Sequence, residues 1–166
     1  EIYQCDWSSD VCSSDLMQRC LLTNASTSGV AAWTDAAKAL ELATLELVER
    51  DAFVRAWVAR QPVQRTAHDS IPASEKQRVE ALRAMGYRVE ILRLPSPWAT
   101  VHAVFVQCEQ RPYTGVTAAA HFDADRALAK ALDEAEGRAA DARAFLPERI
   151  TRAAHLQTPR DHHHHF

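Results

Sequence analysis

Apolar residues recur at helical spacing through Ala36, Leu40, Ala43, Leu47, Val54 and Val58, which predicts a long helix over 35–60. Thr34 or Asp35 can cap its start, because a short oxygen-bearing side chain satisfies free N–H groups of a first turn, and Pro62 ends it. Upstream, the small apolar run 27–33 with Gly29 reads as a short strand or a strand-like entry to that helix. The polar stretch 61–73, punctuated by Pro62 and Pro72, reads as a mobile surface loop. Ser74 can cap a second, amphipathic helix that stops at Gly86. Residues 87–92 partly alternate, and 101–106 are β-branched and aromatic, so both are predicted strands on either side of a turn at 95–97. After Pro112, 113–121 is a third strand-like run containing Gly115, and 123–143 is a second long helix carrying Leu128, Ala131, Leu132, Ala135 and Ala139. The order helix, helix, strand, strand, strand, helix predicts an α+β fold, a layered α/β arrangement with a β-sheet packed by two long helices.

Composition narrows the classes. The 166 residues are 47% apolar and 25% charged, enough for one core and hence one domain. A net charge of −3 lacks the basic footprint of a dedicated nucleic-acid binder, so no nucleic acid is expected among the partners. No apolar run approaches the roughly 20 residues that cross a bilayer, so no membrane partner is expected and the reading is cytoplasmic. Cys5, Cys12, Cys20 and Cys108 form no CxxC pair and have no His at zinc-finger spacing, so they read as ordinary thiols.

The first sixteen residues, EIYQCDWSSDVCSSDL, differ in composition from all that follows and carry no helical or strand period. DWSSDVCSSDL resembles one reading frame of a common sequencing-library adaptor. Residues 1–16 are therefore read as a non-native adaptor-derived segment or a disordered leader, and 17–166 as the domain, an internal piece of a longer protein. Setting aside Glu1, Asp6, Asp10 and Asp15, with no Lys or Arg among those sixteen, moves the balance from −3 to +1.

Candidate chemistry lies on the helix over 35–60, about 39 Å long at about 1.5 Å per residue. At about 100° per residue, Glu46, Glu49 and Arg50 share an arc with Leu42, Phe53 and Trp57, and such large apolar neighbours argue against a freely solvated face. Two carboxylates one turn apart in partial burial raise each other's pKa and are costly unless a cation joins them. Magnesium, which prefers oxygen ligands shared with substrate phosphates, resolves that conflict. The plainer alternative is that Glu46 and Glu49 pair with Arg50 or Lys38 on a wet surface, and spacing alone favours it.

Thr27-Ser28-Gly29-Val30-Ala31-Ala32 followed by Glu46-Leu47-Val48-Glu49-Arg50-Asp51-Ala52 resembles the YcaO family, in which an ExxER helix just after a small, Gly-containing strand binds magnesium and nucleotide. The run 115–123 followed by 127–135 resembles that family's second nucleotide block, a Gly-containing strand feeding a helix with an essential Glu, and that role falls on Glu134. Departures are visible: Leu42 stands where the family often has Ser, and Lys130 and Gly137 stand where its QxxxExxQ pattern has Gln. Lys130 is also a candidate phosphate contact, since an ammonium acts as a mobile point charge for phosphate oxygens. The plainer alternative pairs Lys130 with Glu134 at i, i+4 on the surface and leaves Glu136 and Arg138 solvated. Thr158-Pro159 and Asp161-His162 resemble a segment of YcaO domains in azoline biosynthesis, so the four histidines at 162–165 are assigned no functional metal. His68, His102, His121 and His155 show no triad or ligand spacing, and no GxxxxGK or GxSxG motif is present.

The resemblance implies a partial YcaO domain with ATP and Mg2+ as cofactors, bound by Glu46, Glu49, Arg50 and Glu134, the three glutamates placing the metal. It implies ATP-dependent cyclodehydration of Cys, Ser or Thr in a peptide to thiazole- or oxazole-type azolines: the side chain attacks the preceding carbonyl, and ATP turns the resulting oxyanion into a leaving phosphate. The partners it implies are a precursor peptide and a peptide-recognition protein or domain, with a homodimer admitted. Peptide thioamidation with a different partner protein, or a non-catalytic scaffold consistent with Leu42, Lys130 and Gly137, stays open. The chain by itself is expected to be inactive toward ATP.

Overall fold

The computed structural model describes residues 28–108 and 113–145. Helix α1 spans Ala36–Val58, and of the two cap candidates Asp35 takes the role: its carboxylate accepts from the Lys38 N–H at 2.9 Å. Arg60, at φ 50°, turns the chain away just before Pro62. Of the two readings for this run, residues 28–33 form no strand and serve only as the entry to α1. Ser28 and Gly29 make a turn, with Gly29 at φ 75°, a left-handed conformation that interrupts an extended run. A Cβ at Gly29 would sit 2.9 Å from Leu47 Cγ and Cδ2, so the chain enters α1 pressed against the helix's own side.

The stretch 61–73 is more ordered than a surface loop. It holds the two-residue strand β1 (Gln64–Arg65), a 3-10 turn at His68–Ser70 and the buried Ile71, and Thr66 N–H donates to the Ile91 carbonyl at 2.9 Å. Helix α2 (Ala73–Ala84) starts directly after Pro72, and Ser74 lies inside its first turn rather than capping it, its hydroxyl turned to Glu75. Proline's fixed φ already suits helix entry, so no side-chain cap is needed to set the start. Gly86, at φ 89°, ends α2 and donates to the Arg83 carbonyl at 2.9 Å.

Strands β2 (Tyr87–Leu94), β3 (Thr100–Cys108) and β4 (Tyr113–His121) follow, and helix α3 (Ala124–Phe145) closes the order. All pairings are antiparallel in the order β1-β2-β3-β4, with Tyr87 opposite Cys108 and Thr100 opposite His121. Helices come before and after the main strands instead of between them, so the architecture is α+β. Asp123 caps α3, its Oδ1 accepting from the N–H groups of Asp125 and Arg126 at 2.9 and 3.1 Å. Those bonds to the charged form hold the Asp123 carboxyl below its usual range.

Strand alternation sorts the core onto two faces. On one, Tyr87, Val89, Ile91, Val104 and Val106 meet Val79 and Leu82 of α2 and Leu128, Ala131, Leu132 and Ala135 of α3. Sheet and helix are also tied by hydrogen bonds: Thr117 Oγ1 donates to the Ala131 carbonyl at 2.8 Å, and Tyr87 Oη to that of Ala139 at 3.0 Å. On the other face, Leu94, Val101, Ala103, Ala118 and Ala120 receive Leu45 and Ala52 of α1, with Val48, Phe53 and Ala56 packed alongside.

The regular apolar stripe of α1 is not its buried side. Leu40 is 69% and Val58 74% exposed, and Leu47 and Val54 are also open, while the arc around Leu45 and Ala52 enters the core. A helical period fixes that residues share a face; which face finds a neighbour depends on what the rest of the fold supplies. No helix among the described residues is long and apolar enough to cross a membrane.

Candidate functional site

Seating α1 by the Leu45 and Ala52 arc carries Glu46, Glu49 and Arg50 inward with it. Arg50 Nη2 donates to Glu46 Oε1 at 2.9 Å, and the two side chains keep 19% and 24% of their surface exposed. The pairing is i, i+4 and mostly shielded, unlike the exposed Arg55–Asp51 pair one turn on. Lys38 is engaged elsewhere, by Glu41 at 2.7 Å. Phe53 and Trp57 stack with ring centroids 6.2 Å apart, and Leu42 is half-buried on the same helix.

Among the described residues Glu49 forms no such close ion pair. Burial pushes its carboxyl from 4.5 up to about 7; the charge of Glu134 adds to the rise, Lys130 and Arg50 offset part of it, and Glu46 adds a little. Glu134, on α3, is raised as well, by burial first, with Lys130, Arg138 and Arg50 pulling it down and Asp133 pushing it up. These couplings bring together residues 85 positions apart in the chain. Helices α1 and α3 lie on opposite faces of the sheet, and β4 is its outer strand among the described residues. Glu49 feels the charge of Glu134 although their helices pack on opposite faces.

The result is a half-buried cluster with Glu49 and Glu134 at its centre, Lys130 and Arg50 beside them, and Glu46 held by Arg50. Arg138 was missed by sequence reasoning as a member, although its i, i+4 spacing from Glu134 is the available signal. Gly137 leaves open space, with nothing within 4 Å of a Cβ built there, so packing does not demand glycine at that position.

Among the described residues, no group of three or more His, Cys, Asp or Glu is gathered to hold a metal ion unaided. A hard cation between Glu49 and Glu134 would take its remaining ligands from phosphate oxygens and water, the usual arrangement for magnesium with nucleotides. The donor set fits: two oxygen ligands whose charged forms are disfavoured chiefly by burial would be relieved by a divalent charge.

The histidines stay outside this cluster. His102 is buried in the sheet, where desolvation lowers its pKa. His121 Nδ1 accepts from the Asp123 N–H at 2.9 Å, and His68 approaches Glu80 at 3.2 Å. Cys108 is a free, half-buried thiol. His155, the histidines at 162–165 and Cys5, Cys12 and Cys20 lie outside the described residues, as do Thr27 and the segment 1–16. A groove of about 450 Å³ lined by Arg65, Arg88, Glu90, Leu92, Phe105 and Gln107 opens where α1 leaves its face of the sheet uncovered, away from the carboxylates.

A family model described as YcaO cyclodehydratase, ATP- and Mg2+-binding, matches residues 11–166. No curated protein sequence matches the chain. A solved structure of YcaO from Methanopyrus kandleri, bound with AMPPCP and Mg2+, superposes with a TM-score of 0.67 at 23% identity. The match covers 78% of this chain and 37% of that one, so the chain spans well under half of its structural relative.

Proposed function

Because this chain belongs to the YcaO family, we propose that its carboxylate cluster is part of a magnesium–ATP site that activates backbone amides of a peptide. The reaction is cyclodehydration of Cys, Ser or Thr to azolines on a ribosomally made precursor peptide presented by a recognition protein or domain. The observation that supports it is the convergence of Glu49 and Glu134 from separate helices in a half-buried position, beside Lys130 and Arg50. A stable fold gains little from such an arrangement, since ionised carboxylates in partial burial destabilise it.

When bound, magnesium–ATP supplies the phosphoryl group that converts an amide oxygen into a leaving group, with the metal neutralising phosphate charge. The chain's own residues hold and orient. Glu49 and Glu134 would hold the metal through carboxylate oxygens, with Glu46, paired to Arg50, as the third carboxylate of the set. Arg50 and Lys130 keep positive charge beside these carboxylates and toward phosphate oxygens. Partial burial strengthens each of these interactions relative to bulk water.

The test uses the complete reading frame that carries this chain, with its precursor peptide. Peptide-stimulated phosphate release accompanied by loss of one water per modified residue is the expected outcome. Glu49→Gln and Glu134→Gln should each lower the rate by about a hundredfold or more. Exchange of an amide oxygen for sulfur would redirect the reading to thioamidation, and tight partner binding without ATP consumption would make the domain a scaffold.

A further inference from the structure

Arg78, on α2, belongs to neither nucleotide block, yet it ties α2 to two carboxylates and a carbonyl of α3. Its Nε and Nη2 donate to the two carboxylate oxygens of Glu136 at 2.8 and 2.9 Å. Nη2 also reaches Asp133 Oδ1 at 2.5 Å, and Nη1 reaches the Ala129 carbonyl at 3.3 Å. The Arg78 side chain as a whole keeps 24% of its surface exposed. Ala129, Asp133 and Glu136 stand at i, i+4 and i+7, one stripe of α3 across two turns. Lys130 and Glu134 project from the same two turns, about a quarter to a third of the way around the helix from that stripe.

The grip is rooted firmly at its α2 end, while on α3 it closes on Glu136, 39% exposed, and Asp133, 70% exposed. Val79, the next residue along α2, is 1% exposed and Leu82 likewise, so the arm carrying Arg78 is rooted in the core. On α3, the bonds from Thr117 and Tyr87 end on main-chain carbonyls near the helix axis. Arg78 instead holds carboxylates at the helix rim, where leverage against rotation is greatest. A roll of about 10° moves a group about 5–6 Å from the axis by about 1 Å, a displacement large enough to matter to a positioned ligand.

The geometry points to Arg78 as a positioning residue of the nucleotide site: by clamping Ala129, Asp133 and Glu136 it fixes the roll of α3 and thereby the placement of Lys130 and Glu134. This rests on the magnesium–ATP reading of the cluster. A planar, forked donor is required, because an ammonium cannot hold Glu136 through both oxygens while also reaching Asp133.

Binding of AMPPCP in the presence of Mg2+ is measured on the complete protein and on Arg78→Met, Arg78→Lys, Val79→Ala and Glu134→Gln variants, alongside thermal unfolding and the KM for the precursor peptide. Arg78→Met should bind the nucleotide about tenfold more weakly while folded, with an unchanged peptide KM. Arg78→Lys should fall between it and the parent, and it carries the test if the Met variant does not fold. Val79→Ala, destabilised through the core, should bind within about twofold of the parent. Parent-like binding by Arg78→Met, or equal weakening by Val79→Ala, overturns the positioning role. Failure of the parent to bind, or indifference to Glu134→Gln, overturns the underlying nucleotide reading and this inference with it.

Discussion

The two faces of the sheet are built on different terms. Toward α2 and α3, bulky aliphatic side chains fill the space, carbonyls are bonded by Thr117 and Tyr87, and Arg78 locks the two helices together. Toward α1 the sheet offers Ala103, Ala118 and Ala120, the helix seats by Leu45 and Ala52, and its most regular apolar stripe is left open. The first face is organised for stability. The second accepts half-buried charge that a purely structural face would exclude, and its helix carries half of the carboxylate cluster.

The sharpest way to break this contrast is to remove one side chain from each. Leu132→Ala, fully buried between α3 and the sheet, should cost about 2–5 kcal/mol in denaturant unfolding, against a change within about 0.5 kcal/mol for exposed Leu40→Ala. Comparable losses would show that α1's outer stripe is covered in the complete protein.

Next in size is the proton linkage of Glu49. Its folded value near 7 exceeds the ordinary 4.5, so between those values the folded state binds more protons than the unfolded one. Stability without metal should therefore fall as pH rises from about 4.5 to 7, by roughly 3 kcal/mol, and stay low above that. Glu49→Gln should flatten this slope in melts across pH 5–8 and stabilise the protein at pH 8 even as it removes activity. Mg2+–nucleotide should restore stability most in the parent at high pH. A parent whose stability is flat with pH contradicts the burial assigned to that carboxyl.

Smaller still, Tyr87→Phe removes a buried hydroxyl bonded to the Ala139 carbonyl and should cost about 1 kcal/mol by thermal or chemical unfolding. At the bottom of the range, Asp51→Ala breaks an exposed pair with Arg55 on the α1 side and should change stability by less than about 0.5 kcal/mol.

Much of the secondary structure was legible because local rules act alone there. Asp35, Gly86 and Asp123 end or begin helices by bonds within one turn, and β4 runs over 113–121 as its composition indicated. Ser74 was misread because Pro72 already sets the helix start, and the strand reading at Gly29 fails because a left-handed residue breaks an extended run that its neighbours' apolar character suggested. The seating of α1 was not legible from periodicity, since Leu40 to Val58 and Leu45 to Ala56 are both apolar enough to be buried. For the cluster, resemblance named Glu46, Glu49, Arg50 and Glu134, but spacing could not say that the carboxylates of α1 and α3 come within each other's electrostatic influence. Arg78 gave no signal at all: an arginine 55 residues before its partner Asp133 has no local pattern.

Gly29 sets a limit on how this segment tolerates change. Any other residue there must adopt a left-handed backbone and find room beside Leu47, whereas its neighbour Val30 is 67% exposed. In a library randomised over 28–33, survivors should be nearly all glycine at one site and broadly mixed at the next.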